Sequence, residues 1–252
     1  MFTRISQQYE NTTAVVVGVG GIGSAIAELL AKSATNVVLA DRDEVTLGNL
    51  AATCKPAKLF SRTLDVRDPQ AVAEFFAFVK ETVGAPDFLF YTAGILNVQS
   101  LAETTSDSWD RAVSVNLSGA FYCVQAVAEL MRAEQRGSIL ILGSIAGTKA
   151  RSGARVNPVY NATKAGLAAL VNGAAIQLRS SGVRINCISP GPTATAMMDL
   201  QPPPVHDAVN EIALDRRMNS SIEVAELALF VAAHGRFTGE DVCMGGGAGL
   251  GG

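Results

Sequence analysis

The chain is short of charge, histidine and aromatic side chains. Of its 252 residues, 17% are charged and 6% are aromatic, two are histidines, and the formal net charge is -3. Intrinsic disorder needs low hydrophobicity and high net charge, whereas 48% of this chain is apolar. Little is present from which a basic nucleic-acid surface or a histidine-rich metal centre could be built. We therefore expect neither a nucleic-acid partner nor a metal.

Long apolar runs and paired cysteines are also missing. No run approaches the roughly 18–20 apolar residues that a membrane span requires, and Met1–Thr13 lacks the basic-then-apolar pattern of an export signal. The four cysteines are scattered and form no C-x-x-C pair, at Cys54, Cys123, Cys187 and Cys243. This spacing fits a reduced cytoplasm better than a disulfide framework. We expect a cytoplasmic protein with no membrane partner.

Glycine, by contrast, is abundant and clustered. Four of the 24 glycines lie between Gly18 and Gly23, and six lie between Gly245 and Gly252. Packed helices and strands have no use for such clusters, so each cluster needs a local reason. A phosphate-binding turn explains the first cluster, and the second cluster has no explanation in the sequence.

Short apolar runs alternate with helical patterns along nearly the whole chain. The strands are predicted at Ala14–Val17, Val37–Ala40, Ala57–Leu64, Phe88–Thr92, Ser138–Leu142, Arg184–Ile188 and Glu240–Met244. The helices are predicted at Ser24–Ser33, Leu47–Cys54, Pro69–Thr82, Asp107–Ala133, Val159–Arg179 and Ile222–Ala233. Apolar strands separated by helices indicate a parallel sheet covered on both faces. We predict an α/β fold: a single doubly wound domain of Rossmann type over residues 1–252, with about seven strands and with ligands at their carboxyl ends.

A glycine-rich turn lies between the first predicted strand and the first helix. It matches G-x-G-x-x-G at Gly18, Gly20, Gly21, Ile22 and Gly23. Such a turn admits a pyrophosphate close to the backbone, and the following helix offers it free N–H groups. Asp41 ends the second strand, where a carboxylate can bind the ribose hydroxyls and repel a 2′-phosphate. We predict a dinucleotide site that prefers NAD, although Arg42 leaves NADP open because it could pair with that phosphate.

Tyr160 and Lys164 lie four residues apart and so share one face of a helix. A tyrosine has an ordinary pKa near 10, and a fixed positive charge nearby lowers that pKa. Such a tyrosine can take the hydroxyl proton of an alcohol while hydride leaves its carbon. Taken by itself, the pair is also compatible with an interfacial tyrosine and a solvated lysine.

Three further features accompany this pair. Ser144 follows a buried strand, Asn116 lies inside an otherwise apolar helix, and Asn186–Thr195 ends a strand in a proline-glycine turn rich in threonine. Each feature by itself is more often structural. Together and in this order, the motifs from about Ala14 to Gly247 resemble the classical branch of the short-chain dehydrogenase/reductase family.

The resemblance implies a role for each motif residue. Tyr160 would be the general acid/base, and Lys164 would lower the pKa of Tyr160 and hold the nicotinamide ribose. Ser144 would hydrogen-bond the substrate oxygen, and Asn116 would anchor a water molecule that links Lys164 to the solvent. Further cofactor contacts are implied for Asp65, Val66, Ala93, Gly94, Pro190, Gly191, Thr193 and Thr195.

Four departures from the family pattern concern the phosphate loop and the pocket rather than the reaction. The glycine turn is one residue short, so we expect it to be tighter. Tyr91-Thr92 replaces the usual Asn-Asn, which should lose an amide that joins neighbouring strands. The stretch between Ser144 and Tyr160 is longer than usual, and Met244–Gly247 replaces the common Val-Asp-Gly-Gly.

Two loops are candidates for substrate selection. The loop Thr148–Pro158 could receive an anion or a carrier-protein surface, or could simply be a solvated basic loop, with its charges at Lys149, Arg151 and Arg155. The loop at about 196–217 carries methionines and prolines suited to a lid over a largely apolar substrate, namely Met197, Met198, Leu200, Pro202, Pro203, Pro204 and Val205.

Three functions remain open at this point. The first is an NAD-dependent dehydrogenase acting on a secondary alcohol or ketone; the second is an NADPH-dependent ketoreductase for acyl-thioester or polyketide-like substrates. The third is a cofactor-binding scaffold without catalysis. The resemblance also implies a homodimer or homotetramer, formed through the helices around Asp107–Arg132 and Val159–Arg179.

Overall fold

A computed structural model describes residues 6–54, 57–96, 98–148, 157–200 and 213–248. Seven strands of this part of the chain form one parallel sheet in the spatial order β3-β2-β1-β4-β5-β6-β7. They are β1 (Thr13–Val17), β2 (Asn36–Asp41), β3 (Lys58–Thr63), β4 (Phe88–Tyr91), β5 (Gly137–Leu142), β6 (Val183–Pro190) and β7 (Asp241–Met244). The parallel, doubly wound arrangement predicted from the sequence is confirmed.

Helices cover both faces of the sheet. They are α1 (Gly21–Leu30), α2 (Glu44–Thr53), α3 (Pro69–Val83), α4 (Ser106–Val113), α5 (Gly119–Ala133), α6 (Pro158–Leu178) and α7 (Ser221–Ala233). Alternate residues of a strand point to opposite faces, so Val15 and Val17 pack with α3, α5 and α6, whereas Ala14 and Val16 pack with α1, α2 and α7. Because both faces are buried at the middle of the sheet, the central strands β1 and β4 are largely continuous apolar runs.

The helix predicted over Asp107–Ala133 is divided by one wider turn. Between α4 and α5, Ser114–Ser118 forms a π-helical turn in which the Gly119 N–H donates to the Ser114 carbonyl, five residues back. This turn buries Asn116 completely. Apolar spacing did not predict the wider turn, because one added residue hardly disturbs a helical pattern.

Strands β1 and β4 are neighbours at the centre of the sheet. From β1 the chain continues to β2, toward one edge of the sheet, and from β4 it continues to β5, toward the other edge. In open α/β sheets this reversal opens a crevice at the carboxyl ends of the strands, where ligands bind. A cavity of about 440 Å³ lies there. All four cysteines are free thiols, and no helix within the described ranges is long and apolar enough to cross a membrane.

Candidate active site

The cavity gathers nearly all of the residues singled out in the sequence. Its wall includes the glycine turn, the end of β2, the segments after β3, β4 and β5, and the first turns of α6. The predicted residues along it are Gly18, Gly20, Gly21, Ile22, Gly23, Asp41, Arg42, Asp65, Val66, Ala93, Gly94, Ser144, Tyr160, Lys164, Pro190, Gly191, Thr193 and Thr195. Asn116 is the one predicted residue that lies behind the wall rather than on it.

The glycine turn closes tightly at the start of α1. Gly18 has φ of +89°, which side chains rarely adopt, and a Cβ there would overlap the backbone of Ala93. A Cβ at Gly23 would overlap the Gly18 carbonyl and lie 2.6 Å from the Thr92 hydroxyl oxygen. The cavity side of Gly20 is open. The turn thus leaves room for an anion against the N-terminus of α1.

Asp41 is fixed in direction by two backbone amides. Its Oδ2 accepts a hydrogen bond of 2.7 Å from the Val19 N–H, within the glycine turn, and its Oδ1 accepts one of 3.0 Å from the Asp43 N–H. Each carboxylate oxygen retains further acceptor capacity toward the cavity. Arg42 lies on the same wall, so both signs of charge border this end of the cavity.

An arginine that sequence reasoning missed also borders this end. Arg67 lines the cavity and forms an ion pair of 2.5 Å with Asp65. Its Nε also donates to Asp65 Oδ1 at 2.9 Å, and hydrogen bonding by Arg67 lowers the pKa of the Asp65 carboxyl. Both side chains are more than a third exposed. The only sequence signal for this pair was its spacing of two residues, which solvated pairs also show.

Thr92 supplies a link that we expected to be missing. The Thr92 hydroxyl donates to the Gly18 carbonyl and, at 3.3 Å, to the Val17 carbonyl. The link between β4 and β1 expected to be lost with the usual asparagine is therefore made by a hydroxyl. The shorter side chain reaches because the turn at Gly18 approaches the end of β4 closely.

Tyr160 and Ser144 lie together in the wall of the cavity. Asn157 Oδ1 accepts from the Tyr160 N–H at 3.0 Å and caps α6, which fixes the first turn of that helix. The Ser144 side chain lies beside the Tyr160 phenol in the wall of the cavity. Burial raises the pKa of Tyr160, and the Ser144 side chain offsets this only in part.

Lys164 is buried beside the tyrosine. Its side chain is held by a 2.8 Å hydrogen bond from Nζ to the Leu142 carbonyl at the end of β5, and Nζ lies 5.6 Å from the centre of the Tyr160 ring. Burial lowers the pKa of Lys164 to about 8. At neutral pH the ammonium form therefore still predominates next to the phenol.

Asn116 holds the wall of the cavity from behind. Its Oδ1 accepts from the Ile95 N–H at 2.8 Å, and its Nδ2 donates to the Ile95 carbonyl at 3.0 Å and to the Thr163 hydroxyl at 3.2 Å. A Cβ placed on Gly94 would lie 3.4 Å from Asn116 Oδ1 and 3.6 Å from Lys164 Nζ. Asn116 thereby ties the segment after β4 to α6, and its role toward water stays a prediction.

The segment after β6 forms the opposite wall. The Gly191 N–H donates to the Met244 carbonyl at 2.8 Å, and Thr193–Ala194 pairs in parallel with Asn219–Ser220. Thr195 then caps a single helical turn, Ala196–Asp199. A Cβ at Gly21 would lie 2.7 Å from the Thr195 Cγ2, so this segment packs directly on the glycine turn.

The two candidate substrate loops are described only in part. Met197 and Met198 line the cavity, and a lid over an apolar substrate stays a prediction. The remainder of the loop at about 196–217 falls largely at 201–212, outside the described residues. The same holds for the predicted basic loop, with Lys149, Arg151 and Arg155.

A family model and curated relatives match the chain over most of its length. A family model described as enoyl-(acyl carrier protein) reductase matches residues 18–248. A D-β-hydroxybutyrate dehydrogenase from Rhizobium meliloti (strain 1021) is 30% identical over 254 residues, covering 93% of this chain and 97% of the relative. An uncharacterized oxidoreductase from Staphylococcus aureus (strain MW2) is 32% identical, covering 73% and 79%.

Solved structures share the architecture over almost the entire chain. The crystal structure of gox2181 superposes with a TM-score of 0.90 at 27% identity, covering 98% of this chain and 99% of that one. A crystal structure of ribose-5-phosphate isomerase from Brucella melitensis 16M has a TM-score of 0.88 at 30% identity, covering 97% and 95%. Proteins with different names thus share this fold, so the reaction has to be argued from the residues of the site.

Proposed function

The chain belongs to the short-chain dehydrogenase/reductase family and is an oxidoreductase of that family, and we propose that it interconverts a secondary alcohol and its ketone with NAD(H). One observation carries this proposal. Ser144, Tyr160 and Lys164 line the same cavity that begins at the glycine turn and Asp41. A group that can transfer a proton and a turn suited to bind a dinucleotide therefore line the same cavity, as hydride transfer between cofactor and substrate requires.

The residues present fit a dinucleotide. The glycine turn would hold its pyrophosphate and Asp41 its adenosine ribose, while Asp65 and Val66 would border the adenine. Ala93 and Gly94 would line the middle of the cofactor, Lys164 its second ribose, and the segment from Pro190 and Gly191 to Thr193 and Thr195 its carboxamide. When bound, the nicotinamide ring exchanges hydride with the substrate carbon.

The catalytic residues would bind the substrate oxygen and transfer the proton to it or from it. The Ser144 hydroxyl and the Tyr160 phenol, which line the same cavity, would both contact the substrate oxygen. Because burial raises the pKa of Tyr160, the phenol is protonated at neutral pH and suited to donate to a ketone oxygen. Removing an alcohol proton needs a lower pKa than burial leaves for the Tyr160 phenol, and we propose that the Lys164 ammonium, 5.6 Å from the centre of the ring, lowers that pKa.

Substrate character follows from the wall beyond the catalytic residues. Leu96, Val98, Met197 and Met198 line that part of the cavity, which supports a largely apolar alcohol or ketone. The relative from Rhizobium meliloti is a dehydrogenase of a hydroxybutyrate, so short 3-hydroxy acids belong in any test.

An NADPH-dependent ketoreductase for acyl-thioesters is the second candidate. Arg42 and Arg67 both border the cavity beside Asp41, and two guanidinium groups suit a 2′-phosphate. The description of the matching family model, enoyl-(acyl carrier protein) reductase, also names a substrate carried on acyl carrier protein.

Assembly is proposed from exposed apolar side chains on the helices expected to pair. Trp109 on α4, Phe121 on α5 and Ile176 on α6 are each more than two-fifths exposed. Exposed apolar side chains mark an interaction surface where they form a contiguous patch, and these three lie on the helices that the family resemblance implies pair between subunits. We therefore propose a homodimer or homotetramer through these helices.

We also propose a single cytoplasmic domain, since the seven strands share one sheet and all four thiols are free.

The proposal is tested by supplying secondary alcohols, 3-hydroxy acids and ketones with NAD(H) and NADP(H), and following the absorbance of the reduced nicotinamide. We expect turnover with NAD(H), and expect Asp41→Ala to weaken NAD binding about tenfold while improving NADP binding. Arg42→Ala is the matched control from the same turn and should affect NADP binding only. Equal turnover with both cofactors, or an unchanged preference in Asp41→Ala, would contradict the cofactor assignment.

A further inference from the structure

Tyr91 stands at the end of β4, where the family resemblance led us to expect asparagine. Its side chain is completely buried, and its hydroxyl donates a 2.8 Å hydrogen bond to the Val115 carbonyl, 24 residues away. Burial also raises the pKa of Tyr91 well above its ordinary value, so the hydroxyl remains a donor. The bond joins the central sheet to the π-helical turn Ser114–Ser118.

The acceptor lies at an unusual point of the backbone. In a regular α-helix the Val115 carbonyl would accept from the Gly119 N–H, four residues on. In this turn the Gly119 N–H is directed to Ser114 instead. The Tyr91 hydroxyl therefore offers the Val115 carbonyl a donor where the regular helical partner has been diverted.

Gly119 makes room for this contact. A Cβ at that position would lie 2.8 Å from the Tyr91 hydroxyl oxygen and 2.7 Å from Val66 Cγ2. Such a separation is shorter than real Cβ contacts allow. Tyr91 and the π-helical turn therefore pack together only with a residue that has no Cβ at position 119.

The residue after Val115 is Asn116, which holds both backbone groups of Ile95 and the Thr163 hydroxyl. Thr163 immediately precedes Lys164 on α6, and Ile95 follows Gly94 on the cavity wall. Any shift of the π-helical turn would move Asn116 relative to both. Displacements of about 1 Å can cost roughly a hundredfold in rate.

We propose that Tyr91 is a positioning residue: its hydroxyl fixes the π-helical turn, and through Asn116 it sets the placement of Lys164 and of the Gly94–Ile95 wall. This inference rests on the proposed function, because it assigns Tyr91 an effect on turnover through the catalytic lysine.

The test is Tyr91→Phe, which removes the hydroxyl and keeps the ring in the core. We expect kcat to fall about tenfold, with the KM for the cofactor unchanged and with the pH dependence of kcat shifted. The matched control is Tyr9→Phe, because Tyr9 is equally buried and its hydroxyl donates at 2.7 Å to the Leu229 carbonyl, on a helix away from the cavity. The control should lose comparable stability and keep the wild-type kcat.

A readout without turnover separates this inference from the proposed function. Asn116 Oδ1 accepts from the Ile95 N–H, so hydrogen exchange of that amide should accelerate about tenfold in Tyr91→Phe and not in Tyr9→Phe. If the wild type oxidises no alcohol, the proposed function fails while this exchange result still decides the positioning role. Equal exchange in both variants, or an unchanged kcat and pH profile in Tyr91→Phe, would overturn the inference.

Discussion

The two ends of the cavity are built by different means. At the proposed nucleotide end, around the glycine turn, the shape comes from backbone turns at Gly18 and Gly23, with Asp41 holding the Val19 amide, and the other charges stand exposed at the rim, as in the Asp65–Arg67 pair. At the catalytic end, side chains are buried and held by other groups: Lys164 binds a strand carbonyl and Asn116 binds a backbone amide and carbonyl.

This contrast indicates where change is tolerated. An exposed ion pair is screened by water and contributes little to the free energy of unfolding. Charged residues at the rim can therefore be substituted without disturbing the fold. A buried polar group that loses its partner leaves another group unsatisfied. We therefore expect substitutions at the nucleotide end to alter cofactor preference, and substitutions at the catalytic end to alter turnover or stability.

The largest effect is expected from Tyr160→Phe. Loss of the phenol removes the proton donor, so kcat should fall about a thousandfold, whereas the cofactor Kd should change by less than about fivefold. Steady-state kinetics and the fluorescence of bound NADH measure the two quantities. Tyr9→Phe again serves as the control, and a Tyr160→Phe protein retaining a tenth of wild-type kcat would refute the assignment.

An intermediate effect is expected from the buried lysine. Burial lowers the pKa of Lys164 to about 8, below its ordinary value of 10.5. The unfolded chain therefore binds the proton more tightly than the folded protein does between these values. Below about pH 8 the desolvation cost is fully present, and it is relieved as the pH rises toward 10.5.

The free energy of unfolding of the wild type, relative to Lys164→Met, should thus increase by about 2 kcal/mol between about pH 7 and about pH 9.5. Urea unfolding of the cofactor-free protein at the two pH values measures this difference. Lys80→Met, which replaces an exposed lysine on α3, supplies the reference. A difference independent of pH would show that Lys164 is not desolvated in the folded protein.

The smallest effect is expected from Arg67→Gln at the nucleotide rim. Both partners of the Asp65–Arg67 pair are substantially exposed, so the thermal midpoint should not move measurably and the Kd for NAD should change by less than roughly threefold. Arg217→Gln, which breaks an exposed pair outside the cavity wall, is the control. A large loss of NAD affinity in Arg67→Gln alone would mean that this guanidinium contacts the cofactor, and would remove the contrast between the two ends.

Most of the fold and the larger part of the site were predictable from the sequence. The strands and helices were confirmed with shifts of a few residues at their ends; α1, for example, begins at Gly21 rather than Ser24. Helix ends are set by hydrogen bonds that turn residues share with their neighbours, and apolar spacing does not record them. The start of α3 was an exception: it was predicted at Pro69, the observed first residue, because a proline in the first turn marks a helix start in the sequence.

What sequence reasoning missed were contacts between distant segments. The Thr92 hydroxyl replaces an amide that we expected to be lost, Arg67 borders the cavity, and Tyr91 reaches a helix carbonyl. Each depends on how closely two separate pieces of backbone approach, and no local pattern encodes that distance.

The sequence by itself determined the alternation of strands and helices, the place of the glycine turn, and the order of the motif residues. It did so because burial on both faces demands continuous apolar strands, and a tight turn demands residues without a Cβ. Only the tertiary structure decided that the shortened turn is closed by Thr92, that the helix before α5 widens around Asn116, and that Lys164 is desolvated. These outcomes depend on packing between elements far apart in the chain, which sets both the available hydrogen-bond partners and the exclusion of water.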